Sequence, residues 1–263
     1  MSVTRLLRLA LPLLLGAAVL VAWEALVAIY EVPRFVLPAP SAIFQALIDD
    51  FPSLMASLWT TLRITLLAFA LAVISGVALA VLFSQSRIVE MMLYPYAVVL
   101  QVTPVVAIAP LIIIWVGFER INFALLILAW IVAFFPILSS TTLGLRSTDH
   151  NLLDLFRLYG ASPLQILWRL RLPTALPYLL NGMKTAGGLA LIGTVVAEYG
   201  AGSGTATGLA WRIIEAGNRL QIARMFAALF LLAALGISIF FALALLEYGI
   251  LRKWHESVVE KQK

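Results

Sequence analysis

Six apolar runs, each close to twenty residues or longer and almost free of charge, constrain this chain more than any other feature. They fall at about 7–30, 57–84, 88–117, 121–144, 181–199 and 224–249. A hydrocarbon core of ~30 Å is crossed by about 20 helical residues, and inside it each segment must satisfy its own backbone N–H and C=O groups. With 63% apolar and 12% charged residues, and a mean hydropathy of +1.03, a water-soluble fold would leave large apolar patches exposed. The runs are therefore read as six transmembrane helices of an all-α membrane protein. One transmembrane domain, 1–263, accounts for the chain, and no internal repeat or low-complexity tract divides it.

Several function classes drop out on chemistry. The absence of cysteine excludes disulfides, thiolate metal sites and cysteine nucleophiles. His150 and His255 are too few for a metal cluster. The pI of 9.7 reflects loops that obey the positive-inside rule, not a nucleic-acid surface. Arg5 and Arg8 precede an apolar run that continues to Tyr30, longer than a signal-peptide core, so it is read as a retained first helix. With the N-terminus inside, twelve of the eighteen Lys and Arg lie on the cytoplasmic side. Arg34, Arg63, Arg120, Arg212, Arg219 and Arg224 lie outside. Both termini and the 145–180 loop are therefore expected in the cytoplasm, and 200–223 outside.

Between the first two spans, Pro33, Pro38 and Pro40 break the helix, and Ser41 is expected to cap a short amphipathic segment ending near Asp50. Pro95, Pro104 and Pro110 predict a kinked third span.

The most informative interruption is DLFRLYGASPLQILWRLRLP, residues 154–173. Asn151 is expected to cap a short helix with Asp154 in its first turn, where a carboxylate suits the helix dipole. Leu152, Leu155, Phe156 and Tyr159 form its apolar stripe. Gly160 ends it, since the position after a helix commonly needs positive φ. Ser162, Pro163 and Gln165 restart a helix as N-cap, first residue and capping-box partner, and Leu172-Pro173 is expected to stop it. Pro177 marks the return to the membrane. An ordinary interfacial loop is the alternative, but the stop–restart punctuation favours a shaped docking element.

These residues resemble the EAA loop of ABC importer permeases. That signature has an acidic start with two alanines, a glycine, nine residues, an aliphatic residue, any residue, then Leu-Pro. Here Gly160 is followed by nine residues, then Leu170, Arg171 and Leu172-Pro173, while Asp154-Leu155-Phe156 replaces the Glu-Ala-Ala start. FVLPAPSAIFQAL, TPVVAIAPLIIIWVGF and VVAEYGAGSGTATGLAW extend the likeness to the nitrate/sulfonate/taurine branch, whose related members carry pyrimidine vitamin precursors or riboflavin.

The resemblance implies a type I ABC importer permease in the bacterial inner membrane. It also implies an external solute-binding protein (periplasmic or lipid-anchored), a second copy of the chain, surrounding lipid and a cytoplasmic ABC ATPase dimer. ATP and Mg would sit on that partner, leaving no cofactor in this chain. Asp154, Phe156, Arg157, Tyr159, Gly160, Ala161, Ser162, Leu172 and Pro173 would then form the ATPase-coupling element, with Arg169 as a further partner charge.

Residues of the transport pathway are read less directly. Gly182, Ala186, Ala190 and Thr194 recur at four-residue spacing, with Gly187 and Gly193 nearby, which suits a subunit interface, a pathway wall or packing within one subunit. Gln101 and Thr103, and Ser139 to Thr142, either line a cavity or bond their own helix backbone. Glu24 lies inside the first span and is read as a bundle contact, while Arg63, Glu198 and Glu247 lie nearer span ends. The segment GAGSGTATG, 200–208, lacks the Gly-Lys-Ser/Thr ending of a phosphate loop and is either an external gate or a flexible connection. A secondary transporter would need inverted repeats and midplane ion ligands, and a membrane-embedded enzyme would need clustered His, Asp or Glu. The sequence offers neither clearly.

Overall fold

The computed structural model describes residues 3–201 and 208–252, with side chains from residue 10 onward. Arg5, Arg8, His255, the last three lysines and most of the 200–208 segment therefore lie outside the residues described to side-chain level. The described residues form helices and no strand: α1 Val3–Ile29, α2 Pro40–Asp49, α3 Phe51–Gln85, α4 Arg87–Val102, α5 Val105–Val116, α6 Ile121–Arg146, α7 His150–Leu158, α8 Pro163–Ile166, α9 Leu172–Ala201, α10 Leu209–Asn218 and α11 Ile222–Leu251. Five stretches are long and apolar enough to cross a membrane: Ala10–Ile29, Phe51–Gln85, Phe118–Arg146, Pro163–Ala201 and Ile222–Leu251. The pair α4 and α5 supplies a sixth if it is one broken span, bent by 103°.

That break is sharper than the expected kink and has a local cause. Thr103 precedes Pro104, and the proline ring pushes the residue before it out of the helical region, here to φ −67° and ψ 124°. Pro95 and Pro110 stay inside their helices. Leu172-Pro173 likewise does not stop a helix, contrary to the expectation. Leu167–Arg171 forms a π turn in which helical bonding shifts by one residue, and the Leu172 N–H donates to the Leu167 carbonyl five residues back. The bulge takes up the misfit that a proline imposes on the preceding turn, so α8 runs through it into α9. The continuous helix that carries the fifth span accordingly starts near 163, ahead of the expected 181.

The helices divide into two compact units, Met1–Leu58 with Thr207–Leu232, and Trp59–Ala206 with Ala233–Lys263. In the first unit, Leu54, Leu209, Ala227 and Ala228 are buried around Ile43, and Trp23 packs its ring against Phe226 and Phe230. Ser41 is not the cap of α2; Ala39 holds that position without a side-chain bond. The carboxylate comes instead from α1. Glu24 accepts the Ser41 N–H at 3.0 Å and the Ser41 hydroxyl at 2.7 Å, meeting the free N–H groups at the start of α2. Arg224 pairs with Asp50 at 2.8 Å. On α10, Glu215 accepts from Arg212 at 2.8 Å and Arg219 at 3.0 Å. The hydrogen bond from Arg212, aided by the charges of Arg212, Arg219 and Arg224 and opposed by burial, holds the Glu215 carboxyl below its ordinary range.

The second unit is built on the long contact of α6 with α9. A Cβ on Gly182 would lie 2.7 Å from Ser140 Cβ, and one on Gly193 would lie 2.9 Å from Ala129 Cα. Ala186, Ala190 and Thr194 are buried on the same stripe. Small residues bring the two backbones together, which in lipid is the main source of helix–helix packing energy. The stripe is thus occupied within the chain. Between α3 and α9, Thr61 donates to Glu198 at 2.8 Å and Thr65 bonds Thr194 at 3.1 Å, all four fully or almost fully buried. Lys184 and Glu247 pair at 2.7 Å across α9 and α11.

Candidate functional site

The site is the helix–turn–helix from Asp149 to Leu172, and its punctuation can be followed residue by residue. Asp149, not Asn151, is the N-cap of α7: its carboxylate accepts the Asn151 N–H at 2.8 Å. The helix thus starts earlier than expected, and Asp154 falls beyond its first turn. It forms an i,i+3 pair with Arg157 at 3.2 Å, with both side chains largely in solvent. Such a pair contributes little stability and leaves both charges available.

At the other end, Gly160 has φ +69°. The Ala161 N–H donates to the Phe156 carbonyl at 3.0 Å and the Gly160 N–H to the Arg157 carbonyl at 2.9 Å. These are the two bonds of a Schellman motif, which needs one residue in the left-handed region. Two residues later Ser162 caps the next helix. Gln165 N–H donates to Ser162 Oγ at 3.4 Å, Ser162 N–H donates to Gln165 Oε1 at 2.8 Å, and Pro163 occupies the first helical position. Both helix ends are satisfied within the element, so its shape is set locally.

The orientation of its apolar side chains decides what it can do. In α7, Leu153 is the buried side chain. The stripe of Leu152, Leu155, Phe156 and Tyr159 turns away from it, with Tyr159 83% exposed, Leu152 and Leu155 exposed and Phe156 half-buried. Leu158, Leu164 and Trp168 are also exposed. No cap or motif in the sequence marks these three, although Leu164 and Trp168 stand four apart on one helix, the spacing of neighbours on a face. Leu155, Phe156, Tyr159, Ala161, Gln165 and Arg169 enclose a hollow of about 310 Å³ between the two short helices. A concave, aromatic-edged apolar surface with arginine at its rim has the composition of a protein-binding hot spot.

The remaining candidates fall elsewhere. Leu172 and Pro173 begin α9 behind the element. Gln101 is exposed at the end of α4, and the Thr103 hydroxyl bonds its own helix at Val99 O, 2.6 Å away. Thr142 does the same to Leu138 O at 2.7 Å. Among the described residues no three His, Asp or Glu side chains converge in a way that would hold a metal ion.

Comparison with known proteins bears on the whole chain. Residues 68–252 match the family described as binding-protein-dependent transport system inner membrane component. The chain is 33% identical to the formylaminopyrimidine transport permease protein of Halalkalibacterium halodurans, over 93% of this chain and 96% of that one. It is 32% identical to a putative aliphatic sulfonates transport permease protein of Bacillus subtilis, over 93% and 87%. In fold it is similar to an inward-facing structure of the MetNI methionine ABC transporter, with a TM-score of 0.67 and 20% identity over 77% of this chain and 98% of that chain.

Proposed function

The chain belongs to the binding-protein-dependent transport system inner membrane components, the ABC importer permeases, and from that premise we propose that its helix–turn–helix is the socket piece for a cytoplasmic ATPase. The observation that carries the proposal is the outward-facing Leu155 and Tyr159, with half-buried Phe156 between them, on an element whose own caps are complete. Exposed aromatic and leucine side chains on the polar side of a membrane protein would be solvated at a cost, and a partner groove removes that cost. Asp154, Arg157 and Arg169 set register against partner charges. Ala161 and Ser162 hold the turn between the two helices.

In this reading two copies enclose a pathway on a twofold axis, an external binding protein delivers the solute, and both termini are cytoplasmic. ATP and Mg are held by the partner chain, and closure of the ATPases draws the two elements together and switches access across the membrane. The solute is a small compound, such as a sulfonate or a heterocyclic vitamin precursor, consistent with what the two relatives are named for at nearly equal identity. In this reading selectivity resides largely in the binding protein. Reconstitution tests the scheme: uptake into vesicles requires the permease, ATPase, binding protein and ATP together. Uptake by the permease alone, driven by a proton gradient, would replace it with a secondary transporter.

A further inference from the structure

Behind the helix–turn–helix, on the side that Leu153 faces, lies a cavity of about 700 Å³ bounded by the ends of α3 and α6, the start of α4, the start of α7 and the π turn. Its wall carries three guanidinium groups, Arg87, Arg146 and Arg171, and one carboxylate, Glu90. Glu90 is taken by Arg146 in an ion pair. Arg87 has no carboxylate within 4.0 Å among the described residues, and neither has Arg171. Arg171 donates Nη1–H to the Ser84 carbonyl at 3.1 Å, and its Nε–H is buried without an acceptor. Three guanidinium groups against one carboxylate leave the cavity with excess positive charge, which calls for an anion with oxygen acceptors. The planar fork of arginine suits a phosphate group better than a single-point acceptor.

The other half of the wall identifies the source of that phosphate. Met91, Tyr94 and Pro95 of α4 line the cavity, and Met91 continues into an exposed apolar face with Ile88 and Met92, which are 66% and 62% accessible. Polar head at the helix end and apolar body along a membrane helix is the layout of a phospholipid, and basic pockets at the ends of spans recognise anionic headgroups. We propose that this cavity binds the headgroup phosphate of an anionic phospholipid between Arg87 and Arg171, with the acyl chains lying along α4. The lipid then fills the space behind α7 and braces the element from inside the membrane boundary. The site is independent of what docks on the outer face.

Titration of the detergent-solubilised full-length chain with phosphatidylglycerol or phosphatidylcholine, followed by native mass spectrometry, tests this. Phosphatidylglycerol is retained preferentially by the wild type, and Arg87→Gln, whose side chain is exposed and does not support the fold, lowers that preference about fivefold. Arg171→Gln has a similar effect, and Arg120→Gln, outside the cavity, has none. Equal retention of the two lipids overturns the proposal and leaves the arginines to a protein partner's carboxylates. Unchanged preference in Arg87→Gln overturns it by moving the lipid elsewhere. Displacement of phosphatidylglycerol by millimolar inorganic phosphate overturns the lipid assignment in favour of a soluble anion.

Discussion

Replacing Gly160 isolates the geometry on which docking depends. Gly160 stands at φ +69°, and a Cβ built there meets nothing within 4 Å, so a side chain in the free chain is opposed by backbone conformation alone. An L-residue in the left-handed region costs about 1–2 kcal/mol, with valine at the upper end because it is β-branched and asparagine tolerated best. A penalty of about 2 kcal/mol changes a conformational ratio up to 30-fold. Where the partner binds only the hinged shape, apparent affinity falls by the fraction of that shape lost. Measured as binding of the purified ATPase to detergent-solubilised permease, affinity should follow the order Gly160, Asn, Ala, Val, and Gly160→Val should lose at most ~30-fold. Membrane insertion and the melting temperature of the spans stay near wild type, because the element makes its own caps. Wild-type affinity in Gly160→Val refutes the hinge. Asparagine as damaging as valine refutes the conformational explanation and points to bulk at the interface.

Three further outcomes follow from the packing. Gly182→Ala places a Cβ 2.7 Å from Ser140 and should destabilise the α6–α9 contact by about 1–3 kcal/mol, read as a lower melting temperature in detergent. Gly188→Ala, on the exposed side of α9 with nothing within 4 Å, should be neutral or stabilising by about 0.5–1 kcal/mol. Thr61→Val removes one donor from the buried Glu198 carboxyl and should cost about 1–3 kcal/mol. The depressed Glu215 acid makes stability around α10 pH-dependent: its contribution is complete above the ordinary glutamate pKa and is lost as pH falls through the lower folded value. The hydrogen-exchange protection factor of α10, taken relative to the intrinsic exchange rate at each pH, should fall on acidification over that window in the wild type and stay level in Glu215→Gln.

What the sequence makes legible here is local. Gly160, Ser162, Pro163 and Gln165 sit within a few residues of the groups they bond, so their roles follow from spacing. The spans are legible for the same reason: membrane helices satisfy their own backbones, and apolar length suffices to find them. Asn151 and Asp149 are both good caps two residues apart, and only the hydrogen bond from Asn151 N–H chooses between them. The π turn at Leu167–Arg171 is invisible because nothing in LWRLR marks a shift of helical bonding, so Pro173 reads as a stop. Long-range pairings are hidden altogether. That Glu24 caps α2, that the Gly182 stripe is filled by α6, and that Arg87 and Arg171 meet across one cavity all depend on tertiary placement.

In the proposed assembly the outer face of α7 and its turn touches the ATPase. Because the chain has no cysteine, single-cysteine variants carry no background. Tyr159→Cys, on the exposed face, and Ile237→Cys, exposed within the α11 span, can each be treated in native membranes with a short thiol–amine cross-linker alongside the co-expressed ATPase. A covalent permease–ATPase product from Tyr159→Cys and none from Ile237→Cys is the predicted result. Absence of that product from Tyr159→Cys, in membranes where the assembled transporter hydrolyses ATP in response to solute-loaded binding protein, would contradict the account.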